Sequence, residues 1–508
     1  MNKFKTTLSY PSFKMGTITT LILVSLLIML FLSGCGGSSS KTGSLTGTIT
    51  LVNDSGDSDF DPVDYSGITV ALYEAVDLDT VIVRINREYP TIGLLIDQET
   101  EFDHRLHNPV AIAQTDGTGK FTLSKLKIGR YNLVYYKEGW GLRYVFNVNV
   151  DKGENSVKAD KSRPSESLVL YPQYNLPSTV LDAFICKGNH TYAASEDVLF
   201  LGDLTIESGA NILLDRGCKL SVGGSLYTEA SGSKWRITSL TGFMGSTYTE
   251  PTAGDRFGRF ALLGGHGSQI KNGVITNMQD GIMINGNNCQ IDDMLLRNCG
   301  TAVYLLGNSL TYKNSIICNC DDRANYLVGS ATVQGNIIAG NHDAFVLQES
   351  CCDFSNNYVI DNWIGIRPVY GDVHIHHNAF HRNKYGISPM ASDPLIDYNH
   401  FYGSSRYCIQ TQTNYVQAYF DYSNPLVNFN NFYAQDQIII SLQPDNHPGY
   451  YASNTPGVQN DVDAKNNYWK ATNVPDVLFD SEDTDKVRYR IIYLPKRGSP
   501  VPNAGIQN

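Results

Sequence analysis

Asn357-Tyr358-Val359-Ile360-Asp361-Asn362 is followed 21 residues later by Asn378-Ala379-Phe380-His381-Arg382-Asn383, and this repeat decides the fold. The pattern extends in both directions. One column of polar residues runs Asn272, Asp293, Asn314, Asn336, Asn357, Asn378, Asn399, with steps of 21 except a single 22 between Asn314 and Asn336. A second runs Asn277, Asn298, Asn319, Asn341, Asn362, Asn383, with its 22 in the same unit. A long step shared by both columns reads as one local insertion.

A fixed period of this length signals a stacked repeat. A unit of about 21 residues is too short for two helices, and its apolar residues alternate as in short strands. Two residues after each member of the first column stand Val274, Leu295, Ile316, Ile338, Val359, Phe380 and Phe401, which are assigned to the interior. A further strand begins near Gly281, Ala302, Ala344, Gly365 and Gly386. Strands stacked about 4.8 Å apart superpose identical positions, so Asn side chains can bond in ladders along the stack. A leucine-rich repeat has a similar period, but its Leu scaffold is absent. The expectation is an all-β chain, with a parallel β-helix over 180–495.

The flanks carry a resemblance. Leu204-Thr-Ile-Glu-Ser-Gly-Ala-Asn-Ile-Leu-Leu214 and Gly223-Gly-Ser-Leu-Tyr227 resemble first coils, and Asn466-Asn-Tyr-Trp469 with Tyr489–Pro495 resembles a closing coil and terminal strand. The proteins they resemble are the pectate-lyase-like superfamily, whose β-helix is right-handed. Gly264-Gly-His-Gly267 with Lys271 is similar to a polygalacturonase motif, but Asp292-Asp293 lies on the wrong side of it and the match is set aside.

The N-terminus reads as an export signal. Lys3, Lys5 and Lys14 precede an apolar run from Ile18 to Leu32, too short for a comfortable membrane span. Leu32-Ser33-Gly34-Cys35 resembles the bacterial lipobox, which implies cleavage after 34, lipidation of Cys35 and a membrane anchor followed by a flexible linker over 35–43. Gly36, rather than Asp, after that Cys points by analogy to the outer membrane. The net charge of −11 becomes −14 without residues 1–34, with 36 cations against 50 acids. Such a surface repels phosphate backbones, so nucleic acid is excluded as a partner. Anionic polysaccharide is not, since local cations or bridging calcium can hold it.

Residues 44–165 read as a small β-sandwich. Leu45–Leu51 and Gly67–Tyr73 alternate as strands, and Asp116-Gly117 with Gly119 forms a hairpin turn ahead of Phe121 and Leu123. Gly129 turns into the strand Tyr131–Tyr136. The Thr115–Leu133 string resembles the carboxypeptidase-regulatory-like, transthyretin-like domain, a non-catalytic spacer, with 74–110 as an insertion. Asp57, Asp59 and Asp61, with Asp54 and Asp64 nearby, are either alternate calcium ligands or a solvated acidic loop.

Candidate sites follow from the register. Residues flanking the inward column point outward. On the later coils they include Tyr358, Ile360, His381, His400 and Tyr402, an aromatic row on which sugar rings stack unless a loop or the small domain covers it. Asp361 and Arg382 stand in one column as a cross-coil ion pair, structural or uronate-orienting. Asp372 and Asp393, 21 apart, are placed to hold Ca²⁺ or act as a glycosidase acid and nucleophile, although both sit at turns where Asp is ordinary. His374, His376, His377 and His381 suggest a metal, but carboxylate or Cys partners at a fixed spacing are missing. Cys299 and Cys320 stand one coil apart within disulfide reach, and Cys351-Cys352 could close a vicinal disulfide.

These residues complete no catalytic set. The expected function is therefore an envelope lipoprotein whose β-helix binds polysaccharide without cleaving it. The alternatives are a polysaccharide lyase or glycoside hydrolase of the same fold, and a scaffold or maturation protein with a protein partner.

Overall fold

A computed structural model describes residues 42–507, apart from 57, 158–167, 372, 413, 417–418, 422, 434–437, 443–460, 472 and 484–489. The export signal, Cys35 and Asp372 lie outside the described residues.

The small domain has two four-stranded sheets. In one, β4 (Lys120–Lys127) and β7 (Gly153–Val157) flank β1 (Thr42–Leu51), which also pairs with β8 (Leu168–Leu170). The other has the order β3 (Ala111–Gln114), β2 (Thr69–Glu74), β5 (Gly129–Lys137), β6 (Gly141–Val150). Leu45, Ile49 and Leu123 from the first meet Val70, Leu72, Leu133 and Val145 from the second in one core. The turn at Asp116–Gly119 does not close a hairpin. It passes the chain from β3 in one sheet to β4 in the other, tightened by the Asp116 carboxylate accepting from the Thr118 and Lys120 backbone N–H groups. Sequence alternation specifies two strands and a turn but not which sheet each strand joins.

From Thr179 to Phe479 the chain winds a parallel β-helix of about 11 turns. Each later coil carries three strands, exemplified by Val373–His376, Ala379–His381 and Asn383–Ile387. The outer surfaces of these three strand stacks are here named faces A, B and C.

The observed register corrects the expected one. Ile316 pairs with Ile337, so Asn336 stands opposite Ser315 rather than Asn314, and no residue is inserted there. Each expected Asn column is two adjacent columns spliced together. In one, the residues turn the A–B corner in left-handed backbone: Asn272, Asp293, Asn314, Gly335, Asn356, His377, Tyr398, Phe429 and Asn466, with φ between 49° and 69°. The other is a buried ladder of Asn336, Asn357, Asn378, Asn399, Asn430 and Asn467. The B–C corner repeats the arrangement, with Asn298, Asn319, Gly340, Asp361 and Arg382 turning and Asn341, Asn362 and Asn383 bonding inside. Asn suits both jobs, because it tolerates left-handed backbone and carries a compact donor–acceptor amide. An extra residue does enter beyond Cys320, putting Val303 opposite Asn325, and the 21-residue pairing returns at Leu310 and Ala331.

The splice between Asn314 and Asn336 also divides the expected interior column. Leu296, Ile317, Ile338, Val359, Phe380, Phe401, Phe432 and Trp469 form the true inward column, with successive rings from Phe380 to Trp469 stacked 4.6–4.9 Å apart. Val274, Leu295 and Ile316 belong instead to the outward column of face B, continued by Ile337, Tyr358, Ala379, His400 and Asn431.

Candidate functional site

An outward row of Val, Leu and Ile needs a cover. The 74–110 insertion supplies it. Its helix α1 (Thr80–Glu88) begins at Asp79, whose carboxylate caps the Val81 and Ile82 N–H groups. Ile82 and Ile85 on one face of α1, with Ile92, Leu94 and Ile96 beyond it, pack on Val274, Leu295, Ile316, Ile337 and Tyr358. Gly93 runs against the coil itself, donating its N–H to Gly335 O at 2.7 Å, and a Cβ there would sit 2.8 Å from Ile337 Cδ1. Lower down, C-terminal residues take over. The Val501 N–H donates to Asn431 Oδ1 at 2.7 Å, and Gly505 lies on the His400 ring.

The expected sugar-binding residues therefore sit on the docking face. Tyr358 is buried beneath Tyr89. Burial lowers the His400 pKa to about 4. Tyr402 is 38% exposed, but its ring stacks on Tyr433 at 5.3 Å, while the rings of His381 and His400 meet it edge-on. Rings in a β-helix column stack along the coil axis and offer their edges outward, so the row does not present flat platforms. Asp361 and Arg382 form the expected pair at the B–C corner, two-pronged at 2.8 and 2.5 Å.

Burial extends to ionic groups between the domains. Arg105, fully buried, pairs with Asp103 and donates to Ser239 O at 2.9 Å and Thr241 O at 3.1 Å. Glu101 meets Arg297 at 2.5 Å, and Asp54 meets Lys187 and His190. Asp54 thus works as a docking residue. Asp61 bonds Asn53 and Asp64 bonds Ser66, while Asp57 lies outside the described residues.

Face A brings together what sequence spacing did not. Asp353 and Asp397, on the coils either side of His374 and His376, reach them diagonally: His374 Nε2 to Asp397 at 2.8 Å and His376 Nε2 to Asp353 at 3.0 Å. The two imidazoles are 4.1 Å apart, and His376 Nδ1 lies 2.7 Å from His377 Nδ1. The Asp397 bond raises the His374 pKa, whereas burial lowers those of His376 and His377. The carboxylate partners were hidden because they come from neighbouring coils, each 23 residues away instead of the 21 of the repeat. Among the described residues no group of three or more His, Cys, Asp or Glu is arranged to hold a metal ion. Asp393 is an exposed turn residue whose carboxylate accepts the Asn424 N–H at 2.6 Å.

The nine described cysteines are all free thiols. Cys299 and Cys320 are buried free thiols that donate to Arg297 O and Cys318 O, and Cys351 and Cys352 point to opposite sides of their strand.

Face C holds residues the sequence reading missed. Trp363 is 46% exposed, with His342 stacked beneath it at 5.6 Å and Lys384 Nζ 3.0 Å above its ring centre. Tyr385 and Tyr407 follow on successive coils, with the Arg406 guanidinium 5.6 and 5.4 Å from their ring centres. Trp363-to-Lys384 and Tyr385-to-Tyr407 spacings of 21 and 22 were legible, but only a correct register separates this face from the covered one.

No curated protein and no solved structure matches the chain. Residues 248–471, less than half of the chain, are similar to the family described as NosD, periplasmic copper-binding protein.

Proposed function

We propose that this chain is an exported, non-catalytic envelope protein whose β-helix holds a polysaccharide along face C. The observation that carries the reading is the contrast between faces. The protein's own insertion and C-terminal residues close face B, whereas face C leaves Trp363, Tyr385, Arg406 and Tyr407 at least partly exposed in a row. An extended row suits a polymer better than a small molecule, which favours a concave pocket. The Tyr hydroxyls and the Trp363 indole N–H there are suited to hydrogen-bond sugar hydroxyls. The lipobox-like string and the periplasmic family match support an envelope address.

Hydrolysis by the usual glycosidase route needs two carboxyl groups poised across one bond. On the described later coils Asp361 is held by Arg382, Asp353 and Asp397 by imidazoles, and Asp393 by a backbone N–H. This favours binding over hydrolysis.

The copper in the family's description has its donor types on face A, since copper(II) takes imidazole and carboxylate. However, His374 and His376 each turn Nε2 onto a different carboxylate instead of a common point. The residues as placed do not fit the ion, and nothing in the binding reading passes through it.

The test is retention of the chain following Cys35 on a panel of immobilised polysaccharides, with end-group analysis. Retention without new ends is expected. New reducing or unsaturated ends would overturn the non-catalytic reading, and failure to bind any polysaccharide would overturn the polysaccharide reading.

A further inference from the structure

We infer that the row from Trp363 to Tyr407 on face C is a subsite for the negatively charged groups of an acidic polysaccharide; this rests on the polysaccharide reading above. The argument starts from charge. The chain is acidic overall, with 50 acids against 39 cations, so an anionic polymer is repelled unless cations are concentrated where it lies. Screening limits each charge to about 8 Å at physiological ionic strength, so the local balance decides.

Among the described residues of this part of face C that balance is positive. Arg367 is tied to Asp343, and Arg382 at the adjoining corner is tied to Asp361. Lys384 and Arg406 have no carboxylate partner among the described residues. Lys384 instead rests on Trp363, a contact that positions the ammonium without pairing it to an acid. Arg406 donates Nη1–H to the Tyr385 hydroxyl at 2.7 Å and lies against Tyr385 and Tyr407. The residue is exposed, and its guanidinium is held by tyrosines instead of by an acid, so its charge is open to a carboxylate or sulfate.

The two cations stand on successive coils, where the strands lie about 4.8 Å apart. Each is positioned by aromatic rings instead of by an acid, so neither must break an ion pair to receive a ligand. Preorganised, unspent cations on an acidic protein are what selects an anionic polymer over a neutral one.

The test uses the chain following Cys35, with alginate as carboxylate probe, dextran sulfate as sulfate probe, and dextran and a neutral β-glucan as controls. Binding is measured by calorimetry at low and physiological salt for wild type, K384Q/R406Q, and K271Q/K313Q on face A. At least one anionic probe should bind and should lose about ten-fold in affinity or more in K384Q/R406Q. The face A variant, which removes the same charge, should bind as wild type. Unchanged thermal melting confirms that the substitutions leave the fold intact. Neutral glucans bound as tightly as acidic ones, or equal losses in both variants, would overturn the anion subsite while leaving polysaccharide binding standing. Binding to none of the four would remove both.

Discussion

Tyr89, just beyond the end of α1, packs on Tyr358 of the β-helix with ring centroids 5.8 Å apart and planes inclined at 51°. The contact joins an insertion in one domain to a coil of the other, and it closes the face that pattern alone had left open. A helix of nine residues is marginal in water without tertiary packing. Docking and helix formation are therefore one event.

Ile85→Ala should loosen this dock, at a cost of roughly 2–5 kcal/mol for a buried Ile truncated to Ala. Hydrogen exchange should quicken across 80–96, while the interior coils around Ile338 and Val359 keep wild-type protection. Uniform acceleration through both domains would instead mean that the insertion and the coils unfold as one unit.

Asn378 lies in the middle of the A–B ladder. Its Oδ1 accepts both the N–H and the side-chain amide of Asn357 at 2.9 and 3.1 Å, and its own amide donates to Phe354 O and His376 O. Asn378→Ala orphans buried groups on two coils, each costing roughly 1–3 kcal/mol. A clear drop in melting temperature is expected. Asn356→Ala, at the neighbouring corner position, loses the residue's tolerance of positive φ but no ladder bond and should cost less. The reverse order of the two melting points would refute the two-column register.

The coil length, the inward Phe380 and Phe401 and the existence of Asn ladders were all legible in the sequence, whereas Phe432 and Trp469 joined the inward column only in the structure. The ladder register was not, for a physical reason. Asn314 and Asn336 are both Asn, 22 apart, yet one is there for its backbone conformation and the other for its side chain. Residue type alone does not separate the two uses. The error moved Val274, Leu295 and Ile316 to the wrong side of the wall, which in turn hid the need for a cover over Tyr358. The Asp361–Arg382 pair was legible because both residues fall below the misread step, where the period is uniform. The His–Asp contacts of face A were not, because they run diagonally between coils.

Thiol chemistry offers a direct check on the cysteine environments. Of the nine described cysteines only Cys351 is exposed, and burial raises the thiol pKa of Cys186, Cys352 and Cys408. Thiolate is the reactive form, so buried neutral thiols are inert. The native chain following Cys35 should release one equivalent with Ellman's reagent quickly and the other eight only on denaturation. Loss of the fast equivalent in Cys351→Ser would confirm the assignment, and two fewer thiols after denaturation would reveal a Cys299–Cys320 disulfide.

Glu99 couples the domain interface to pH. It lines a cavity of about 40 Å³ between the domains, accepts the Lys234 N–H at 2.9 Å, and is pushed up to about 7 by burial. Its folded pKa lies above the unfolded value near 4.5, so the native state holds the extra proton. The stability this contributes is complete below 4.5 and lost as pH rises through about 7, at most on the order of 3 kcal/mol. His104 and His400 act in the opposite sense. Burial lowers both to about 4, so their contribution is present above 6.5 and lost as pH falls through 4. Between these limits the two histidines oppose Glu99, so the variant is compared with wild type at each pH. Glu99→Gln can still accept from Lys234 but cannot ionise. The difference in unfolding free energy between E99Q and wild type should grow in favour of the variant from pH 4.5 to 7, then stay flat. Denaturant melts at half-unit pH intervals measure it, and parallel profiles for the two proteins would mean that Glu99 is ionised within the interface throughout.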